Sequence, residues 1–324
     1  MTWTSKTKEK IPLIILTGPT AVGKTGLSIA LAKRLNGEII SADSMQVYRG
    51  MDIGTAKIRP FEMQGVPHHL INILDPTEAF DVVQFHKRAK EAAYCIHGRG
   101  HLPIVVGGTG FYIQALLYDI DFKDEPEEEE SQEEQSVRTR LELQASTEEG
   151  YLALVEELSM ADPRTLEIVH PNNRKRVIRA LEFYIKHGVP ISEHNLEERK
   201  KESAYCSRYF VLTDDRARLY SRIEQRIDQM LAEGLVDEVK HLMSEGLSRE
   251  HISMQGIGYK EIMDYLEGVL DYDTAVDTLK KNTRHFAKRQ LTWFRRERDV
   301  IWLDRTVLPD DEAVLEEILR HLDF

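Results

Sequence analysis

The segment Gly18-Pro19-Thr20-Ala21-Val22-Gly23-Lys24-Thr25 constrains this chain more than any other, because it joins an apolar run, Pro12 to Thr17, to a helically spaced segment beginning Leu27, Ile29 and Ala30. It matches G-x-x-x-x-G-K-[ST] with a strand before it and a helix after it, the setting the motif requires. The glycines let the backbone turn so that several N–H groups face one anion, and the positive end of the following helix adds to the attraction. Lys24 brings a mobile point charge, and the Thr25 hydroxyl a hard oxygen for Mg²⁺. Gly18 to Thr25 is therefore expected to bind a diphosphate or a nucleotide's phosphates together with Mg²⁺; the plain alternative is a glycine turn that holds nothing.

Strand-like runs recur at Glu38 to Ala42, His69 to Leu74 and Pro103 to Val106, with helical spacing between them, and again at Tyr209 to Leu212 and Val300 to Leu303. Asp81 is placed to cap a helix running through Phe85 and Ala89 to a stop at Gly98 and Gly100. This alternation predicts an α/β fold, a P-loop NTPase-like parallel sheet. Residues 122–205 lack strand patterns, open with the acidic run Glu127 to Glu130 and show helical spacing at Val177, Leu181, Tyr184 and Ile185. They are expected to form a helical insertion domain within a core made of residues 1–121 and 206–324, with the acidic run as a solvated face.

With 324 residues and 41% hydrophobic content, the chain can bury a sizeable core. No apolar run approaches the ~18 residues of a membrane span, so the expectation is a soluble cytoplasmic protein without a signal peptide. Cys95 and Cys206 have no nearby cysteine partner and support neither a disulfide framework nor a zinc ribbon. Adjacent His68 and His69 would point to opposite faces of a strand, which argues against a shared metal. A net charge of -12 would ordinarily disfavour nucleic acid, but Asp121 to Glu157 alone holds 14 acidic and 3 basic residues, net -11. The remainder is nearly neutral, and its basic residues are clustered.

Phosphate binding leaves the reaction open. A GTPase would need an Asn-Lys-x-Asp guanine reader, which is absent. A small-molecule kinase remains a competitor on the P-loop alone. A third class uses the loop to hold a diphosphate that departs while carbon is attacked.

Other motifs favour the third class. Asp43-Ser44-Met45-Gln46-Val47-Tyr48 follows the second strand, then Met51 to Lys57, Val66 to Leu70, Gly107-Gly108-Thr109-Gly110, His170 to Arg179 and Ser253 to Lys260. Together with the P-loop, and in this order over nearly the whole chain, they closely resemble the bacterial tRNA dimethylallyltransferase family. The resemblance implies dimethylallyl diphosphate as donor and, as acceptor, N6 of the adenosine just 3′ of the anticodon, with an insertion domain that helps grip the anticodon stem-loop. Eukaryotic relatives carry a zinc-finger extension; this chain ends at Phe324, so the bacterial form is the expected one.

Adenine's exocyclic amine must lose a proton as its new carbon bond forms, a task suited to a positioned carboxylate. Asp43 is expected at the carboxyl end of a strand next to the P-loop strand, where ligands sit in open α/β sheets. The resemblance makes its counterpart the general base; a Mg²⁺-binding or supporting carboxylate is the alternative. Lys24, the loop amides and Mg²⁺ would stabilise charge gathering on the departing diphosphate. Arg222 and Arg226 are candidate helpers, on a helix also bearing Arg218 and capped by Asp214 or Asp215; otherwise they form an exposed stripe paired with Glu224 and Asp228.

By resemblance, Ser44, Met45 and Gln46 contact the base, Thr109 contacts tRNA, and Gln255 and Gly256 belong to the tRNA site. Thr109 as a plain helix N-cap is an equal alternative. From Thr274 to Arg296 one long helix is expected, with Val276, Leu279, Phe286, Gln290 and Phe294 on one face and Lys281, Arg284, Lys288 and Arg295 on the other. That cationic ridge is the main predicted phosphate contact. A second cluster, Arg174, Lys175, Arg176 and Arg179, follows the capping signal Asn172-Asn173 in the insertion. Nothing suggests an obligate assembly, so a monomer is expected.

Overall fold

The apolar runs become strands with almost no exposed face. In the computed structural model, which describes residues 10–120, 122, 132–198 and 200–322, β1 (Pro12–Thr17) is buried from Leu13 onward. It leads through the P-loop into α1 (Lys24–Leu35), which Asn36 ends in a left-handed conformation. β2 (Gly37–Ala42), buried along its whole length, β3 (His68–His69), α2 (Val82–Gly98), β4 (Leu102–Gly107) and α3 (Gly110–Tyr118) follow. The chain then runs through α4 (Gln132–Gln144), α5 (Glu148–Ala161), α6 (Pro163–Ile168), α7 (Arg174–His187) and α8 (Ile191–Glu198). It returns as β5 (Cys206–Thr213), α9 (Arg216–Ala232), α10 (Leu235–Ser244), a short 3₁₀ turn (Ile252–Gln255), α11 (Tyr259–Leu266), α12 (Tyr272–Phe294), β6 (Val300–Asp304) and α13 (Asp311–Arg320).

The strands form one parallel sheet in the order β3-β2-β4-β1-β5-β6. Strands buried on both faces are what a parallel sheet covered by helices requires. This is the α/β, P-loop-type fold the sequence predicts. Asp81 Oδ1 accepts the Gln84 N–H at 2.8 Å and starts α2 as expected. Two sequence expectations fail. Asp43 does not follow a strand next to the P-loop strand, because β4 pairs with both β1 and β2 and lies between them; a crossover helix can carry the chain past the neighbouring position, as it does for about a third of sequential strands. The expected strand at His69 to Leu74 shrinks to His68–His69, since Leu70 (φ 63) and Asn72 (φ 54) adopt left-handed conformations that no strand accommodates. Leu74 keeps only an isolated bridge to Tyr48.

The described residues divide into two compact units, with boundaries after Asp119 and after Glu202. The sheet unit holds one continuous apolar cluster, which includes Tyr205, assigned by sequence to the insertion. The all-helical unit has its own core of Leu141, Leu154, Leu158, Val177 and Leu181 around α4, α5 and α7. Asn173 Oδ1 accepts the Arg176 N–H and starts α7. Tyr184 and Ile185, read as part of its apolar stripe, are each 37% exposed. The acidic run Glu127 to Glu130 lies outside the described residues.

Candidate functional site

The carboxyl end of β1 opens into a loop whose shape depends on its glycines. Gly18 has φ 148 and passes so near β5 that an added Cβ would lie 2.6 Å from the Leu212 carbonyl oxygen; Gly23, at φ 97, precedes α1. Ala21, a non-glycine residue, is left-handed at φ 64. The Lys24 ammonium donates to the carbonyls of Gly18 (2.9 Å) and Pro19 (2.8 Å). Burial, aided by the Arg226 guanidinium and opposed by the Asp43 carboxylate, brings the Lys24 pKa down to about 7. Burial likewise lowers that of Arg226, with Asp43 opposing. Two desolvated cations side by side make a site whose electrostatic deficit an anion relieves.

That loop borders a cavity of about 470 Å³. The P-loop contributes Thr20, Lys24 and Thr25, and the end of β2 contributes Asp43 and Gln46. With β4 interposed, β1 and β2 stand two strand spacings apart, about 10 Å. β4 ends in Gly107, followed by Gly108, so the end of that strand contributes no side chain of its own to the interval; a Cβ on Gly107 would lie 2.2 Å from the Ala42 carbonyl oxygen. Asp43 is fixed by a tight turn, its Oδ1 accepting the N–H groups of Met45 (2.8 Å) and Gln46 (3.3 Å). Its Oδ2 has no hydrogen-bond partner among the described residues, which leaves a held carboxylate with one oxygen available.

Gln46 Nε2 donates to the carbonyls of Thr55 (3.2 Å) and Ala56 (3.5 Å), so its Oε1 is the group left for a ligand. The loop supplying those carbonyls is pinned by Glu238, which accepts the N–H groups of Asp52 (2.9 Å), Ile53 (2.7 Å) and Gly54 (3.0 Å). Buried Lys57 ties the same loop to Asp52 Oδ1 and Asn72 Oδ1, each at 2.6 Å. Met45 packs against Gly256, where a Cβ would come within 2.6 Å of its methyl carbon. Gly256 is thus brought to the Asp43 loop, while exposed Gln255 donates to the Arg249 carbonyl at 3.2 Å. Thr109 begins α3 without a side-chain cap bond, so the N-cap alternative fails for its hydroxyl. Thr109 N–H instead donates to the Ala42 carbonyl at 3.2 Å.

The arginines of α9 separate in role. Asp215 caps the helix through the Ala217 and Arg218 N–H groups. Arg218 binds Asp214 at 2.6 Å, and Arg222 lines the cavity while pairing with the same Asp214 at 3.3 Å. Arg226 also lines the cavity and reaches Thr20 Oγ1 at 3.5 Å, the contact that brings it to the cradle. Pairing of this stripe with Glu224 and Asp228 does not occur. Those acids point across to α12, where Glu224 binds Arg284 at 2.5 Å and Asp228 binds Lys280 at 2.6 Å. Of the predicted ridge, Lys281, Lys288 and Arg295 are exposed, and Arg284 is committed to its ion pair.

A family model described as IPP transferase matches residues 46–297, and one described as isopentenyl transferase matches residues 11–76. The chain belongs to the IPP transferase family. Among IPP transferase relatives, a protein of Lachnoclostridium phytofermentans named tRNA dimethylallyltransferase is 55% identical over 96% of this chain and 97% of its own; one of Bacillus subtilis with the same name is 48% identical over 97% of each. A solved tRNA delta(2)-isopentenylpyrophosphate transferase from Staphylococcus epidermidis superposes with a TM-score of 0.71 at 42% identity, covering 97% of this chain and 99% of its own. A eukaryotic dimethylallyltransferase acting on tRNA gives 0.79 at 31% identity, covering 95% of this chain and 77% of its own.

In the helical unit of this IPP transferase, Lys175, Arg176 and Arg179 are exposed. Arg174 is not free, since it donates to the Ala145 carbonyl at 2.7 Å and lies 4.4 Å from the Tyr151 ring centroid. His68 and His69 take separate partners, the Val66 carbonyl and Glu38. Among the described residues the exposed Thr25 hydroxyl makes no hydrogen bond. It offers one hard oxygen of the kind Mg²⁺ prefers, the remaining ligands being phosphate and water, so the P-loop can take that ion together with a diphosphate. Sequence reasoning missed two contributors, Gln290 and Glu238. Gln290 lies on the helix face the sequence predicts, and a polar residue between Phe286 and Phe294 at helical spacing was the available signal for its role. Glu238 left no comparable signal.

Proposed function

We propose that this protein transfers the dimethylallyl group of dimethylallyl diphosphate to N6 of the adenosine 3′ of the anticodon in tRNA, releasing diphosphate. The observation that carries the reading is one cavity bordered both by the Lys24 and Arg226 cations and by an Asp43 oxygen without a partner. N6 attacks the allylic carbon, the carbon–oxygen bond breaks, its electron pair leaves with the diphosphate, and the N6 proton passes to Asp43 Oδ2. Lys24, Arg226 and the P-loop N–H groups meet the charge gathering on the leaving group, with Arg222 beside them at the cavity edge. The Thr25 hydroxyl would hold Mg²⁺ with the diphosphate, and that ion would supply further charge neutralisation. Gln46 accepts a hydrogen bond from the base, and Ser44, Met45 and Thr109 contact the nucleotide, with Gln255 and Gly256 behind them. Phe286 is the large apolar side chain bordering the cavity, and it receives the prenyl group.

The anticodon stem-loop rests on Lys281, Lys288 and Arg284 of α12 and on Lys175, Arg176 and Arg179 of the helical unit. Drawing a loop adenosine out of its stack costs a few kcal/mol, which pocket contacts recover. The enzyme works as a cytoplasmic monomer. A kinase could also use the Asp43 carboxylate, to take the proton of an acceptor hydroxyl; similarity over nearly the whole chain to proteins named tRNA dimethylallyltransferase is what disfavours that reading. Mass analysis of tRNA nucleosides after incubation with dimethylallyl diphosphate and Mg²⁺ tests the reading. The expected product is adenosine with one dimethylallyl group in place of a hydrogen. Unchanged nucleosides, or ATP-dependent phosphorylation of a small alcohol instead, would refute it.

A further inference from the structure

The buried stripe of α12 is apolar at Ala275, Leu279, Ala287 and Phe294, and Gln290 is its polar exception. Only 6% exposed, this side chain uses both ends of its amide. Oε1 accepts the Thr20 N–H of the P-loop at 2.9 Å, and Nε2 donates to the Gly108 carbonyl beyond β4 at 3.0 Å. Burying an amide is unfavourable unless its partners are in place, and here the partners belong to two loops that border the ligand cavity. Gly108 leaves the room this requires, since a Cβ there would lie 2.2 Å from Gln290 Nε2. Thr20 directly precedes left-handed Ala21, a conformation that costs about 1–3 kcal/mol and persists only where its surroundings enforce it.

We propose that Gln290 is a positioning residue for donor binding, holding the P-loop in the turn that receives diphosphate. The Thr20 N–H is spent on Gln290 and is not offered to the ligand. What the bond sets is the direction of the N–H groups that follow the turn. The anchor sits on the helix that also carries Lys281, Lys288 and Arg295, so the donor cradle is built against a tRNA-facing element. The inference rests on the transferase reading only for the identity of the donor; its physical content is diphosphate affinity.

The test uses the full-length chain, with inorganic diphosphate as probe in calorimetry and dimethylallyl diphosphate with unmodified tRNA in steady-state assays. Gln290→Met keeps length and volume but removes both hydrogen bonds. Gly108→Ala displaces the amide from the opposite side and keeps the measurement available if the first variant does not fold. Both are expected to weaken diphosphate binding about tenfold, a change worth ~1.4 kcal/mol. The KM for donor should rise similarly, with much smaller changes in kcat and in tRNA affinity. Leu279→Ala, which loosens the same helix away from the loops, separates positioning from general destabilisation and should leave diphosphate affinity unchanged. Undiminished diphosphate binding in folded Gln290→Met or Gly108→Ala, or an equal loss in Leu279→Ala, overturns the proposal. A wild-type protein that binds diphosphate but leaves tRNA unmodified overturns the transferase reading instead.

Discussion

Lys24 is held near neutrality by burial and by Arg226, with a pKa of about 7 against the ordinary 10.5. A bound diphosphate favours the ammonium and raises that pKa, so binding above pH 7 must take up a proton. Affinity is therefore full below the free-protein pKa and falls as pH rises through it, approaching tenfold per unit. Calorimetry with inorganic diphosphate, corrected for the ligand's own ionisation in this range, should show roughly tenfold weaker binding at pH 8 than at pH 6, and a flat corrected profile would remove the electrostatic account. Asp43→Ala should lower turnover by about 10²–10⁴ while tRNA affinity is retained, as read by single-turnover transfer and filter binding. Normal turnover would end the general-base assignment. At this scale the residue types were legible and their states were not. The P-loop letters announce an anion site, but which arginine of α9 reaches Thr20 depends on where Asp214 stands.

Helix α12 gathers three tasks on its faces: cavity lining by Phe286, loop anchoring by Gln290, and exposed cations at Lys281, Lys288 and Arg295. Lys288→Ala should lower the salt slope of tRNA binding by about one. Arg284→Ala should lower it less, because that guanidinium already binds Glu224 at 2.5 Å; equal slopes would show that the ion pair opens on binding. Phe286→Ala should enlarge the cavity and admit longer allylic diphosphates, so geranyl transfer by this variant but not by the wild type is the expected outcome, and unchanged donor selectivity would remove Phe286 from the prenyl site. Helical periodicity located α12 and its cationic side because period and charge are local properties. It put Gln290 on the correct, buried face but not its partners, since a buried amide and an apolar residue occupy the same stripe and differ only in what lies opposite.

Across the molecule, two separate cores divide the labour of stability. Leu158 is fully buried in the helical unit, and Leu158→Ala should cost about 2–5 kcal/mol. Thermal unfolding should report that loss while diphosphate affinity, which belongs to the sheet unit, stays unchanged; a parallel fall in affinity would show that the units are coupled. By itself the sequence determined the strand-forming runs, the anion loop, the helical character of the insertion and the family, because hydrophobic period, glycine placement and motif spacing are written along the chain. Only the tertiary structure decided that β4 separates Asp43 from the P-loop strand, that glycines keep that interval open, that His69 to Leu74 turns instead of extending, and that Gln290 and Glu238 pin the loops. These outcomes depend on pairings between residues far apart in the chain, and local propensity carries no information about which partner a buried polar group will meet.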